Sequence, residues 1–488
     1  MIDGNATAAR GTAVLLFSQG CYLVLGYLAV VIMAREFGPA TYGAYGVIMS
    51  VLVWLEEAGR YAIPSATAKL VAETTGDRAG LERTAVILNL ALYTLLFVLL
   101  WVLAPWLSSW FAIPDGALLF RIAAIDLPFF GVYTSYRAIH QGHRRFFRLG
   151  CSQITYALTK LVGALLLVRF GLSVKNALLV NVAATVVGLT CLLPGDRPRS
   201  RGHWLEQVKP LVSAATPMGS YYFVLGLRDS LVLWTLQIMS PVSAWSMIGV
   251  FVAASNIARV PSMVLTTMTT VVLPSVSRAV AVNDEPLARR YISQALRFGF
   301  IVYLPVCLVV MTQAERMMQW IYSKDFSGGG VILALLIAGE GLRVAHAIFG
   351  AALNAAGEAR KAAIMAVVTL VPVTAILVFL IHMWGGTGAA LSSALTVLIS
   401  NVILGSFVWK RFGTFMNKRS AYNIGVAGSL MFVVFALLSN FELFFFLPCA
   451  GGLVAYFVSL LVSNEITRQD VAVVVPWIRV KRYEVSGG

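Results

Sequence analysis

Apolar residues fall in long runs along this chain, and polar residues gather between the runs. Such runs recur from Gly11 almost to Asn464. Each holds about 20 residues, the length a helix needs to cross a bilayer core of ~30 Å. The pattern predicts fourteen membrane spans: 12–34, 42–63, 85–107, 117–137, 149–168, 176–194, 211–238, 245–267, 293–313, 331–352, 362–382, 387–409, 421–438 and 442–463. Thr12 to Ala34 is too long for the core of a signal peptide, and no A-x-A-like cleavage site follows it. It reads as the first permanent span.

Composition agrees. The 488 residues are 59% hydrophobic and 12% charged, about half the ~25% charge of a soluble domain. Mean hydropathy is +0.81. With the N-terminus placed inside, 26 of the 37 Lys and Arg fall in inner segments or at the inner ends of spans, 5 in outer segments and 6 deeper within spans. Basic residues favour the cytoplasmic side of short loops, so the count supports fourteen spans with both termini inside. It also accounts for the net charge of +15. The excess is a topology signal and does not point to nucleic acid, although the inner face suits anionic lipids.

A weak internal repeat divides the chain. AIHQGHRRFF (138–147) follows span 4 and LNAAGEARKA (353–362) follows span 10; each puts a Gly and then basic residues inside. GPATYG (38–43) precedes span 2 as SPVSAW (240–245) precedes span 8. These pairs predict an N-lobe over 1–194, a basic cytoplasmic linker over 195–210 and a C-lobe over 211–409. Two added spans occupy 410–463 and a cytoplasmic tail 464–488. Repeats of this kind are typical of transporters, with the substrate site near mid-membrane.

Several chemistries lack their residues. No G-x-x-x-x-G-K-[ST] is present, so no P-loop binds ATP. His140, His143, His203, His346 and His382 show no metal spacing, and His140 and His143 read as solvated loop residues beside Arg144 and Arg145. The five cysteines are scattered, without C-x-x-C, and behave as small apolar residues. No cofactor or metal is expected. No outer loop is long enough to build a sugar-transferring site, which argues against an enzyme.

The charges inside the spans carry the candidate chemistry. A mid-membrane ionisable group costs about 3 kcal/mol on insertion scales and is a functional hypothesis by default. Eleven lie in or near that zone: Glu56, Glu57 and Arg60; Arg121 and Asp126; Lys160; Arg228 and Asp229; Arg259; Glu340 and Arg343. Arg60 is four residues from Glu56 and three from Glu57, and Arg343 is three from Glu340. Each pair can meet on one helix face, so structural ion pairs stand beside a functional role. Arg60 also lies close enough to the inner end of span 2 to snorkel. Arg259 has no acid within four residues, Lys160 is alone, and Arg228 has only its neighbour Asp229, about 100° round the helix. These three need partners on other helices, water or an anionic ligand, and the planar guanidinium suits phosphate oxygens.

AREFGPATYGAYGVIMSV (34–51), VVLPSVSRA (271–279), NAAGEARKAA (354–363) and ITRQDV (466–471) resemble the polysaccharide-transporter branch of the multidrug/oligosaccharidyl-lipid/polysaccharide exporter superfamily. The resemblance implies an all-α polytopic membrane protein with two pseudo-symmetric six-helix lobes around a central cavity, plus two C-terminal helices. It implies a flippase, not an enzyme, that carries a polyprenyl-diphosphate-linked oligosaccharide from the inner to the outer leaflet of the bacterial cytoplasmic membrane. Arg60, Arg259, Arg228, Arg343 and Lys160 are then candidates to hold diphosphate or sugar. Glu56, Glu57, Asp126, Asp229 and Glu340 are candidates for ion coupling or for positioning an arginine. Membrane lipids, and a polymerase or glycosyltransferase machinery, are the expected partners. A drug or small-cation exporter of the same superfamily, or a membrane-embedded glycan enzyme, are the alternatives.

Overall fold

Hydrocarbon offers the backbone no hydrogen-bond partners, so a long apolar run must satisfy its own amides as a helix. The computed structural model follows this rule and is helical throughout, with no strand among the described residues. It describes residues 2–73, 78–171, 173–193, 204–241, 244–266, 269–358, 364–365, 367–439 and 446–466. Residues 195–203 of the expected linker, 359–363 of NAAGEARKAA, 467–471 of ITRQDV and most of the expected tail lie outside these residues.

Each of the fourteen expected spans falls at least in part on a described helix; residues 362–363 and 366 of span 11 and 442–445 of span 14 lie outside the described residues. Spans 1 and 2 form α1 (Ile2–Arg60), followed by a short α2 (Ile63–Glu73) and by span 3 in α3 (Arg78–Trp110). Span 4 is interrupted at Ile125 into α4 (Gly116–Ala124) and α5 (Asp126–Gly142). Spans 5 and 6 are α6 (Phe146–Phe170) and α7 (Val174–Thr190). Spans 7 and 8 are α8 (Val208–Met239) and α9 (Trp245–Thr266), with α10 (Thr269–Ala281) after them. Then come α11 (Glu285–Ile321) and α12 (Gly330–Ala355). Spans 11 and 12 make up α13 (Leu370–Phe412), and α14 (Lys418–Ser439) and α15 (Phe446–Val462) complete the set. Eight stretches among the described residues are long and apolar enough to cross a membrane, and two of these hold two expected spans each.

Two turns that the sequence suggests are single glycine kinks. Gly38 (φ 67°, ψ 170°) divides α1 between spans 1 and 2, and Pro39 follows it. Gly385 (φ 53°, ψ −126°) divides α13 between spans 11 and 12. Both conformations suit glycine, which has no Cβ to clash. The Gly38 kink has a second requirement. A Cβ on Gly249 would strike the Pro39 carbonyl, and one on Gly43 would come within 2.9 Å of the Gly249 amide nitrogen. The backbones of α1 and α9 approach through these two glycines.

The described helices group into two units. The first holds residues 1–257, 314–336 and 363–393; the second holds 258–313, 337–362 and 394–488. In the first, α1 packs on α6 and α8, α6 on α7, and α3 on α5. In the second, α14 and α15 pack on α11 through Ile301, Ile424, Met431, Tyr456 and Leu460. Arg297 of α11 adds a clasp there: its guanidinium reaches Glu465, just past α15, at 3.1 Å, and Asn423 also donates to that carboxylate. Large apolar side chains such as Phe17, Val102, Trp110 and Phe379 stand exposed along the long helices, as membrane-facing surfaces require.

Candidate functional site

The last turn of α1 splits its three charges between two environments. Glu56 and Glu57 are neighbours, so their side chains leave the helix about 100° apart. Glu57 turns to the accessible side and pairs with Arg60 at 3.2 Å. Arg60 remains 42% exposed in its side chain and lies over the Phe130 ring at 5.2 Å. Of its two possible partners, Arg60 thus takes Glu57. As the last residue of α1, it also offsets the negative end of the helix dipole.

Glu56 faces inward. Its carboxyl comes within hydrogen-bonding reach of Asp126 in the first turn of α5. Glu56 is 5% exposed, Asp126 is fully buried, and Asn181 of α7, at 2% exposure, donates its amide to Asp126 Oδ2 at 2.8 Å. Lys160 of α6 lies near enough to act on both carboxyls, with its ammonium 4.9 Å from the Tyr156 ring. Tyr93 of α3 fixes the turn from behind. Its hydroxyl donates to the Glu56 carbonyl at 2.7 Å, and its ring fills the space beside Gly59. Five candidate residues, Glu56, Glu57, Arg60, Asp126 and Lys160, therefore converge in the first unit.

Arg228 and Asp229 also lie in this unit, on α8. Helical phase alone sets the two apart, yet the guanidinium reaches back to its neighbour at 3.7 Å. The long arginine stem covers an angle that Cβ directions do not. Arg228 is buried and Asp229 is partly exposed.

The second unit holds the remaining candidates. Glu340 is buried in α12, pairs with Arg343 at 3.1 Å and accepts a hydrogen bond from the Ser262 hydroxyl at 2.6 Å. Arg259 lies one turn before Ser262 on α9. It is exposed, and its guanidinium has no ion-pair partner among the described residues.

Sequence reasoning missed Asn181, Thr185, Tyr93 and Ser262. The available signal was a pair of polar residues four apart on an otherwise apolar run, as at Asn181 and Thr185. The loop histidines need a correction. His140 is buried and bonded to the Leu192 carbonyl at 2.8 Å, while His143 joins Glu82 at 2.5 Å. Both fasten helix ends together and are not simply solvated.

The family described as polysaccharide biosynthesis protein matches residues 8–280, more than half of the sequence. The chain belongs to this family. Within the curated proteins, this polysaccharide biosynthesis protein family member is 21% identical over 398 residues to the probable low-salt glycan biosynthesis flippase Agl15 of Haloferax volcanii. That match spans 80% of this chain and 81% of the relative. It is 22% identical over 363 residues to stage V sporulation protein B of Bacillus subtilis, across 68% and 69% of the two chains. A solved structure titled lipid II flippase MurJ, inward closed conformation, shares its fold with a TM-score of 0.76 at 15% identity, covering 92% of this chain and 99% of that one. An inward-facing multidrug resistance MATE family transporter does so at 0.71 and 15%, covering 80% and 94%. The all-α polytopic fold expected for this family member is thus the one it has.

Proposed function

We propose that this chain is a flippase that moves a polyprenyl-diphosphate-linked oligosaccharide from the cytoplasmic to the outer leaflet for surface polysaccharide synthesis. The observation that carries the reading is Arg259: an exposed guanidinium on α9, the helix of expected span 8, with no ion pair among the described residues. A cation in that setting is costly unless an anion answers it. A diphosphate is such an anion, and its oxygens match the guanidinium fork. The family's description and the flippase named among the relatives support the same class of cargo.

In this reading Arg60 and Arg259 hold diphosphate at different stages of transport, and Glu57 keeps Arg60 in place when no substrate is bound. Arg228, Arg343 and Lys160 tune the field around the cargo. Without a P-loop, the work comes from an ion gradient or the membrane potential, which supplies about 2.3 kcal/mol per charge per 100 mV. The chain sits in the bacterial cytoplasmic membrane with both termini inside. It keeps the division into lobes over 1–194 and 211–409, and its product feeds a polymerase or glycosyltransferase machinery.

A second reading, export of small cations, is favoured by the buried acids Glu56 and Asp126 and by the fold shared with a MATE transporter. A lipid extract from a deletion strain, analysed by mass spectrometry, separates the two. The flippase reading expects polyprenyl-diphosphate oligosaccharide to accumulate. An unchanged lipid profile in cells that make the precursor, with raised sensitivity to cationic drugs, refutes it.

A further inference from the structure

Three buried oxygens in the first unit have no hydrogen-bond donor among the described residues: Glu56 Oε1, Asp126 Oδ1 and Asn181 Oδ1. They belong to one cluster. The Glu56 and Asp126 carboxyls lie within hydrogen-bonding reach of each other, and Asn181 is bonded to Asp126. An ionised carboxylate is an acceptor only. Two of them in contact, both buried, repel with nothing between them to donate, and like charges at that distance do not both ionise. The cluster has more acceptors than donors, and one hydrogen on a carboxyl oxygen corrects the imbalance.

We propose that Glu56 and Asp126 together bind one exchangeable proton, shared between α1 and α5, and that this pair is where the ion gradient acts on the protein. The groups facing the pair fit a single proton. Lys160 on α6 supplies one positive charge, which matches the one negative charge left on a half-protonated pair. Arg60 acts on Glu56 through space but is pinned by Glu57, so those two cancel each other. Tyr45, Tyr93 and Tyr156 close the site with neutral rings, and Asn181 and Thr185 of α7 orient Asp126. An anion that draws Arg60 away from Glu57 changes the field that Arg60 exerts on Glu56, so anion binding and the proton on the pair are linked, as coupled transport requires.

Proton binding stands apart from the identity of the cargo; only its coupling role rests on the transporter reading. The test is infrared difference spectroscopy on the purified full-length chain in lipid, titrated through neutral pH in H2O and D2O. The wild type is expected to show one carboxylic-acid C=O band per chain that shifts in D2O and disappears as the pair ionises. Glu56→Gln and Asp126→Asn should each lose that band, while Glu36→Gln, at an exposed acid, keeps it. A band that persists in both variants overturns the proposal. So does the absence of a protonated carboxyl in the folded wild type. Loss of the band on replacing potassium with sodium at constant pH overturns it too, in favour of a sodium site. The wild-type titration needs no variant to fold. A failed infrared result leaves the lipid-accumulation result standing, and an unchanged lipid profile leaves the proton site standing.

Discussion

The close approach of α1 and α9 beside the kink predicts different effects for glycine-to-alanine substitutions at the contact and away from it. Gly249→Ala places a Cβ on the Pro39 carbonyl, 2.6 Å from its carbon and 2.9 Å from the Pro39 Cα. Carbon atoms in ordinary contact sit at about 3.5–4.0 Å, so the backbones must separate by roughly 1 Å. A side chain could rotate out of the way; the carbonyl of a proline already held at a kink cannot. Overpacking costs about 1–3 kcal/mol, occasionally more, and the upper end applies because the obstacle is backbone. The alanine returns about 1 kcal/mol of helix propensity. The net loss is then about 2 kcal/mol, roughly a 30-fold shift in the folded-to-unfolded ratio. Gly20 and Gly26 provide the internal control, since a Cβ on either meets nothing within 4 Å. Gly20→Ala should leave stability unchanged or raise it. The assay is the fraction of monodisperse protein that survives a heating series in detergent, together with its decay half-life, because membrane proteins commonly unfold irreversibly. If Gly249→Ala survives heating as well as Gly20→Ala, the close approach of α1 and α9 is not a constraint and the reasoning fails.

Three further outcomes are expected. Arg60→Ala and Arg259→Ala should each abolish glycan export at normal protein level, and Arg60→Lys should restore only part of it because a point charge replaces a fork; wild-type export from both alanine variants would remove their assigned roles. Glu465→Ala leaves the part-buried Arg297 without its carboxylate, a loss of about 3 kcal/mol by analogy with broken buried pairs. It should free α14 and α15 for faster proteolysis while α1 to α7 stay protected, and uniform protection would show that the apolar packing around Ile301 suffices. Single cysteines placed in 138–148 should label from the cytoplasm and those in 315–328 from outside; the reverse pattern would overturn the orientation read from the basic residues.

The helices were legible because a bilayer imposes one simple rule on backbone amides, and runs such as 85–107 and 149–168 obey it. Their connections were less so. A hydropathy pattern marks residues 35–41 as a polar break, but it does not say that Gly38 alone turns the chain while helix continues on both sides. The site divides along the same line. Pairs within one helix follow from spacing, so Arg343 with Glu340, and Arg60 with one of its two glutamates, could be named from the sequence. Spacing could not choose between Glu56 and Glu57 for Arg60, because both intervals are helical; the choice depends on which face of α1 is covered by α3, where Tyr93 sits. Asp126 and Glu56 were each singled out as mid-membrane acids, seventy residues apart. Nothing in either neighbourhood joins them. The join comes from the packing of α3 on α5 behind the last turn of α1, which brings one acid from each of two helices to a single point. That is also why a doubled acid in an apolar run deserves separate readings for its members. One glutamate can neutralise the arginine beside it while the other, turned by about 100°, faces a buried carboxyl on another helix.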